Sequence, residues 1–179
     1  GGRYRLIVPD QRGRGHSQND PEPANYRPDV YAADMFALLD GLGVERAGVI
    51  GTSMGGLITM VMGAMQPARL GAVVLNDVGP VLDPAGLQRI AGYVGGAPDF
   101  SDWDAAAEAC AAINRDAFPG FDHADWLAFA RRTCVETERG RVAFAYDPAI
   151  SRGFSSDAED SGRTPARSPR PTCGRSGQA

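Results

Sequence analysis

The chain has 179 residues, 43% of them hydrophobic, which fits one domain of ordinary size with an apolar core and excludes a wholly disordered chain. Its 18 basic and 22 acidic residues give a net charge of -4, and every basic residue is Arg, a balance that argues against a nucleic-acid partner or a polybasic membrane contact. No apolar run approaches the roughly 18 residues of a transmembrane helix, and three widely spaced cysteines (Cys110, Cys134, Cys173) indicate neither a disulfide framework nor a zinc site and fit a reducing cytoplasm.

Tyr4 to Pro9 (YRLIVP) is a short run of strand formers that stops at Asp10, and Asp10 to Ser17, crowded with Gly and Arg, reads as a loop. A helix is predicted from Pro28-Asp29, because Tyr31, Met35, Leu38, Leu39 and Leu42 keep helical spacing on one face and Gly41 and Gly43 supply an exit. Arg46 to Gly51 (RAGVIG) is the next strand, Met54 to Met65 the next helix, closed by Pro67, and Gly71 to Asn76 (GAVVLN) the third strand. Strands alternating with helices predict an α/β protein with a parallel sheet covered on both faces.

After Asn76 three helix-like segments follow one another with no convincing strand between them, which predicts a helical cap. The first begins at Asp83-Pro84, carries Leu87, Ile90, Ala91 and Val94 on one face and ends at Gly95-Gly96. The second starts at Ser101 with Asp104 three residues on, the third at Asp122 with Asp125 three residues on, and both resemble capping patterns. Trp103, Phe118, Phe121, Trp126 and Phe129 make this the aromatic-rich part of the chain. Packing of the cap on itself and on the sheet is the plainer reading, an apolar lining that faces substrate the sharper one. Ser151 to Ala179 holds no Leu, Ile or Val and carries five Arg against three acids, the composition of a disordered tail. A change of reading frame is the alternative, since an all-Arg, Ala- and Gly-rich protein suggests GC-rich coding DNA whose other frames give Arg, Pro, Ser and Gly.

Gly51-Thr52-Ser53-Met54-Gly55-Gly56 (GTSMGG) lies between a predicted strand and a predicted helix and matches the G-x-S-x-G pattern in the context that pattern requires. A nucleophile on a sharp strand-to-helix turn sits in a strained backbone conformation, and the turn closes only if the residues two before and two after it are nearly free of side chain. Gly51 and Gly55 meet that need, with Gly56 following. Ser53 would attack, and the backbone N–H of Met54, at the start of the helix, would stabilise the oxyanion. The competing readings of this segment are a Gly-rich phosphate loop and a plain tight turn.

With this motif, the loop Asp10-Gln11-Arg12-Gly13-Arg14-Gly15-His16-Ser17, similar to a D-x-R-G-x-G-x-S pattern, and the helix around Asp34 to Gly43, the chain resembles the α/β-hydrolase family, in particular its capped esterase- and lactonase-like members, over about Tyr4 to Ile150. The resemblance implies a partial α/β-hydrolase fold, a mostly parallel, doubly wound sheet with a helical cap. Residues 1–80 would be the partial core with its nucleophile elbow, 81–140 the cap, 141–150 a return segment and 151–179 the tail. It also implies hydrolysis of a small-molecule carboxylic ester, thioester or lactone through an acyl-enzyme on Ser53; nothing in the sequence calls for a cofactor or metal, and charge and hydropathy argue against nucleic acid and membrane. Serine at the elbow argues against the dehalogenase and epoxide-hydrolase branches, which use Asp, whereas acyl transfer or a lyase reaction on the same scaffold stays open. Arg12 and Asp10 either shape the site or hold the loop by ion pairs, the plainer reading; His16, at a variable position, is structural.

An activated serine needs a base and an acid that orients it, in the family order Ser, Asp or Glu, His. Only His123 follows Ser53, and it falls at the start of a cap helix, where it reads as an exposed first-turn residue. Asp77, just past the third strand, is a candidate substitute acid because some family members place one there, although a turn residue ahead of Gly79-Pro80 needs no catalytic role. The family's acid and histidine would follow the cap, where the tail lies, and its early strands and second oxyanion donor would precede Tyr4. The chain therefore resembles the middle of a hydrolase, and the alternative to an active enzyme is a catalytically inactive fragment or a small-molecule binder. One strand of the early part would lie between the strands at Tyr4 and Arg46, so those two are expected not to pair.

Overall fold

The computed structural model describes residues 3–79, 81, 88, 92, 94 and 99–152. Helix α1 (Pro28–Gly41) starts with Pro at its first position and ends where Gly43, at φ 66°, donates to the Asp40 carbonyl, a left-handed exit that glycine adopts without strain. It buries Tyr31, Ala32, Phe36 and Leu39; Phe36 and Ala32 join the expected stripe, while Met35, Leu38 and Leu42 are only half-buried. Strand β1 (Ala47–Thr52), helix α2 (Met54–Met65) and strand β2 (Leu70–Asn76) form a strand–helix–strand unit. The two strands pair in parallel with Val49 opposite Val73 and Thr52 opposite Asn76, as a helical crossover requires. Tyr26, Tyr31, Phe36, Leu39, Ile58, Met62, Leu70 and Ile150 build one core, in which α1 and α2 share a face of the sheet.

Helix α3 (Trp103–Asn114) and helix α4 (His123–Thr133) follow, then an antiparallel pair, β3 (Cys134–Glu136) and β4 (Val142–Phe144). They share a second core of Phe100, Ala106, Ala107, Cys110, Trp126, Ala130, Cys134 and Val142. Small residues on α3 let α4 approach closely, and the Trp126 ring fills the interface against Phe118, Phe121 and Phe129. Residues 145–150 join the two halves. The Gly15 N–H donates to the Ala145 carbonyl and the Asp147 N–H to the Gly13 carbonyl, both at 2.8 Å, and the Tyr26 hydroxyl donates to Asp147 Oδ2 at 2.5 Å.

Four expectations need correction or completion. Tyr4 to Pro9 is not a strand: Leu6 and Val8 are 85% and 90% exposed, because an extended segment without a hydrogen-bonded neighbour is not held in a sheet. In keeping with the expected order it does not pair with β1, whose one neighbour among the described residues is β2. Among the described residues the sheet is not covered on both faces either, since Ile50 is 79% exposed. Helix α3 is capped by Asp102, whose side chain accepts from the Ala105 N–H, and not by Ser101; α4 has the expected capping box of Asp122 and Asp125. The β3–β4 hairpin was not expected. The first cap helix, from Asp83-Pro84 to Gly95-Gly96, and nearly all of the tail lie outside the described residues.

Candidate active site

Ser53 sits between the end of β1 and the first turn of α2 with φ 51° and ψ -119°, a conformation that L residues avoid and that persists only where surrounding contacts impose it. Those contacts are visible. The Ser53 N–H donates to the Asn76 carbonyl at the end of β2 (3.0 Å), and the Ser53 carbonyl accepts from Gly56 (2.9 Å) and Leu57 (3.2 Å). A side chain at Gly51 would run into the Gly55 carbonyl and the Thr59 hydroxyl, and one at Gly56 into the Val78 side chain. Gly55 behaves differently from its expectation, because a Cβ there meets nothing within 4 Å. The turn among the described residues is closed by Gly51 and Gly56.

The Ser53 side chain is exposed and caps no helix N–H. Met54 and Gly55 are the first two residues of α2, so their N–H groups have no acceptor within the helix and point out of its positive end. An anion formed beside Ser53 would meet them. Asp77 follows directly, exposed and at φ 54°, at the same end of the sheet as Ser53. His123 is elsewhere: it opens α4, is largely exposed, and its Nε2 lies 2.9 Å from Asp104 Oδ1 on α3. The other histidine, His16, is exposed and its backbone N–H donates to Asp10 Oδ2 at 3.0 Å. Neither imidazole is hydrogen-bonded to Ser53 among the described residues. Among the described residues no group of three or more His, Cys, Asp or Glu is placed to hold a metal ion, and no helix is long and apolar enough to cross a membrane.

The loop before α1 is fixed by charge. Arg12 forks onto Asp34, with Nε to Oδ2 at 2.8 Å and Nη2 to Oδ1 at 2.6 Å, and pairs with Asp20 as well. The bond to Asp34 is the main cause that holds the guanidinium pKa above its ordinary value, and the Glu22 N–H is the main cause that holds the Asp20 carboxyl below its own. Arg12 therefore ties the loop to α1, and Asp10 accepts from His16 and Ser17.

The residue of this loop that reaches the elbow is Arg14, to which sequence reasoning gave no role. Its Nη2 is 3.6 Å from Met54 Sδ and its Nη1 donates to the Tyr31 hydroxyl at 3.0 Å. A signal existed in its place between Gly13 and Gly15. Arg14 also lines a cavity of about 410 Å³ with Cys110, Asn114, Phe129, Arg132 and Tyr146, which opens between the loop and the α3–α4 pair.

Over 94 residues the chain is 40% identical to the 3-hydroxybutyrate-oligomer hydrolase of Cupriavidus necator, a match covering 52% of this chain and 32% of that protein. It is 35% identical over 91 residues to a 2-hydroxymuconate semialdehyde hydrolase of a Pseudomonas species, covering 50% of this chain and 32% of the relative. Among solved structures, an alpha/beta hydrolase from Novosphingobium aromaticivorans superposes with a TM-score of 0.74 at 47% identity, covering 79% of this chain and 50% of that one. The chain thus spans about a third to a half of the length of these relatives. A model of the alpha/beta hydrolase fold matches residues 2–171, and the chain belongs to that family.

Proposed function

We propose that this sequence carries the nucleophile of a serine hydrolase that cleaves a carboxylic ester, thioester or lactone of a small molecule through an acyl-enzyme on Ser53. The observation that carries the reading is the left-handed backbone of Ser53 between β1 and α2, which presents the hydroxyl outward beside the unpaired N–H groups of Met54 and Gly55. In an acylation step Ser53 Oγ attacks the carbonyl carbon, and the oxygen that gains charge is stabilised by the Met54 N–H at the positive end of α2. The intermediate then collapses with loss of the alcohol or thiol, leaving the acyl group on Oγ. Residues 81–140 act as the cap in this reading, and a reducing cytoplasm remains the compartment that suits the cysteines. Two relatives, a 3-hydroxybutyrate-oligomer hydrolase and a 2-hydroxymuconate semialdehyde hydrolase, support a small carbonyl substrate.

A second reading is favoured by the histidines. Both histidines of the sequence are described, and His123 is engaged with Asp104 while His16 lies in the loop. In this reading neither histidine serves Ser53 as general base, and turnover is slow although the elbow is formed. Exposure to a p-nitrophenyl ester, an acid quench and peptide mass mapping test both readings together. The expected result is an acyl group on Ser53 with little repeated turnover, lost in Ser53→Ala. Nitrophenol release unaffected by Ser53→Ala would overturn the first reading, and fast repeated turnover that needs Ser53 would overturn the second.

A further inference from the structure

Two thiols outside the elbow lie together. Cys110, in the middle of α3, is 1% exposed, and Cys134, at the junction of α4 and β3, is 5% exposed. Thr133 Oγ1 stands between them, 3.7 Å from Cys110 Sγ and 3.9 Å from Cys134 Sγ. The pair sits within a core of alanines and Trp126. Cys110 and Thr133, but not Cys134, are among the residues that line the 410 Å³ cavity. Three charged side chains share that wall, Arg14, Arg132 and Asp10, so cationic groups outnumber anionic ones there.

We propose that Cys110 and Cys134 form a thiol–disulfide exchange site that takes small anionic disulfides through the cavity and closes into a disulfide between α3 and the α4–β3 junction. Cys110 attacks first. Its thiolate forms a bond to one sulfur of the small disulfide as the S–S bond breaks, and the departing thiolate takes a proton from solvent. Cys134 then loses its proton to solvent and attacks the Cys110 sulfur, expelling the second small thiol. Two protein thiols are oxidised, and one small disulfide is reduced to two thiols.

The electrostatics agree with this order. The neighbouring Cys134 thiol is the main cause that brings the Cys110 pKa down, to about 7, and a lowered thiol pKa favours the attacking thiolate. The same proximity, with burial, pushes the Cys134 thiol up. Cys110, which lines the cavity, is the attacking group, and Cys134, which does not, is the resolving one; the site does not depend on Ser53.

The test uses the full chain with Cys173→Ser, so that the third cysteine does not react. Dithiodipropionate, a dianion, and cystamine, a dication, are the probes, and each rate is divided by that of the urea-unfolded chain. Expected with dithiodipropionate is a peptide pair joined between Cys110 and Cys134 with no retained adduct. Cys134→Ser keeps a stable adduct on Cys110, and Cys110→Ser leaves Cys134 free. The normalised rate should favour the dianion by about tenfold. Separate adducts on both cysteines of the unaltered pair, or no reaction at Cys110 in the folded chain, overturn the exchange site; an equal or faster normalised rate for cystamine overturns its anion preference. Mapping of the unaltered pair decides the matter even if a serine variant fails to fold.

Discussion

The two cores are made differently. In the α3–α4 pair with its hairpin, the groups that must be buried lie within a few dozen residues of one another, and the core closes on itself around Trp126, Ala106, Ala107, Ala130 and Val142. In the β1–α2–β2 unit the helices cover one face of the sheet, yet Ile50, Val73, Val74 and Leu75 keep large exposed areas and the strand formers before Asp10 find no partner. A helix satisfies its own backbone and needs only one apolar neighbour. A strand leaves its backbone groups open on any side without a neighbouring strand, so among the described residues the same apolar residues that stabilise a helix pair leave a two-stranded sheet with open edges.

Substitutions can break that contrast. The largest effect is expected from Trp126→Ala, which empties the centre of the self-contained core and should lower the unfolding free energy by about 4 kcal/mol, while Ile50→Thr on the bare sheet face should change it by less than about 0.5 kcal/mol. Urea unfolding of both variants checks the pair, and equal losses would show the two regions to be packed alike. Next comes Gly51→Ala, which forces a methyl against the Gly55 carbonyl and the Thr59 hydroxyl and should cost about 3 kcal/mol. Gly55→Ala, with open space around it, should be neutral or slightly stabilising, because alanine is the better helix former.

Smaller effects sharpen the picture. Arg12→Met leaves Asp20 and Asp34 without their shared partner; since the group is partly exposed, a loss of about 2 kcal/mol is expected in the same urea series. Asp122→Ala removes the α4 cap and should cost about 1 kcal/mol. Acid should act through the same charges. Asp20 and Asp29 have carboxyl pKa values held below their unfolded ones, so the stability they add is present above the unfolded carboxylate range and is lost as pH falls through the lowered folded values. A thermal midpoint that declines on acidification toward that range, and declines less in Arg12→Met, is the expected observation.

Much of the elbow unit was legible because its signals are local. The α2 boundaries, the α1 start at Pro28 and the capping box of Asp122 and Asp125 follow from punctuation and periodicity. What failed depended on distant partners. YRLIVP has strand composition, but composition does not supply a neighbouring strand. The β3–β4 hairpin was hidden because each strand has only three residues, joined by a turn in which Gly140 takes φ 66° and the Thr137 N–H donates to the Arg141 carbonyl at 2.7 Å. At the site, the serine and the glycine before it could be read from spacing, whereas the roles of Gly56 and Arg14 come from Val78 and Met54 approaching in space.

The central claim is that the strained turn makes Ser53 the reactive serine of this chain, and labelling with a fluorophosphonate in the presence of increasing imidazole tests it most directly. Imidazole supplies the base that neither histidine provides. The account predicts an adduct on Ser53 alone, formed faster as imidazole rises and absent in Ser53→Ala. An adduct rate at Ser53 no greater than at the serines after residue 150, at every imidazole concentration, would contradict it.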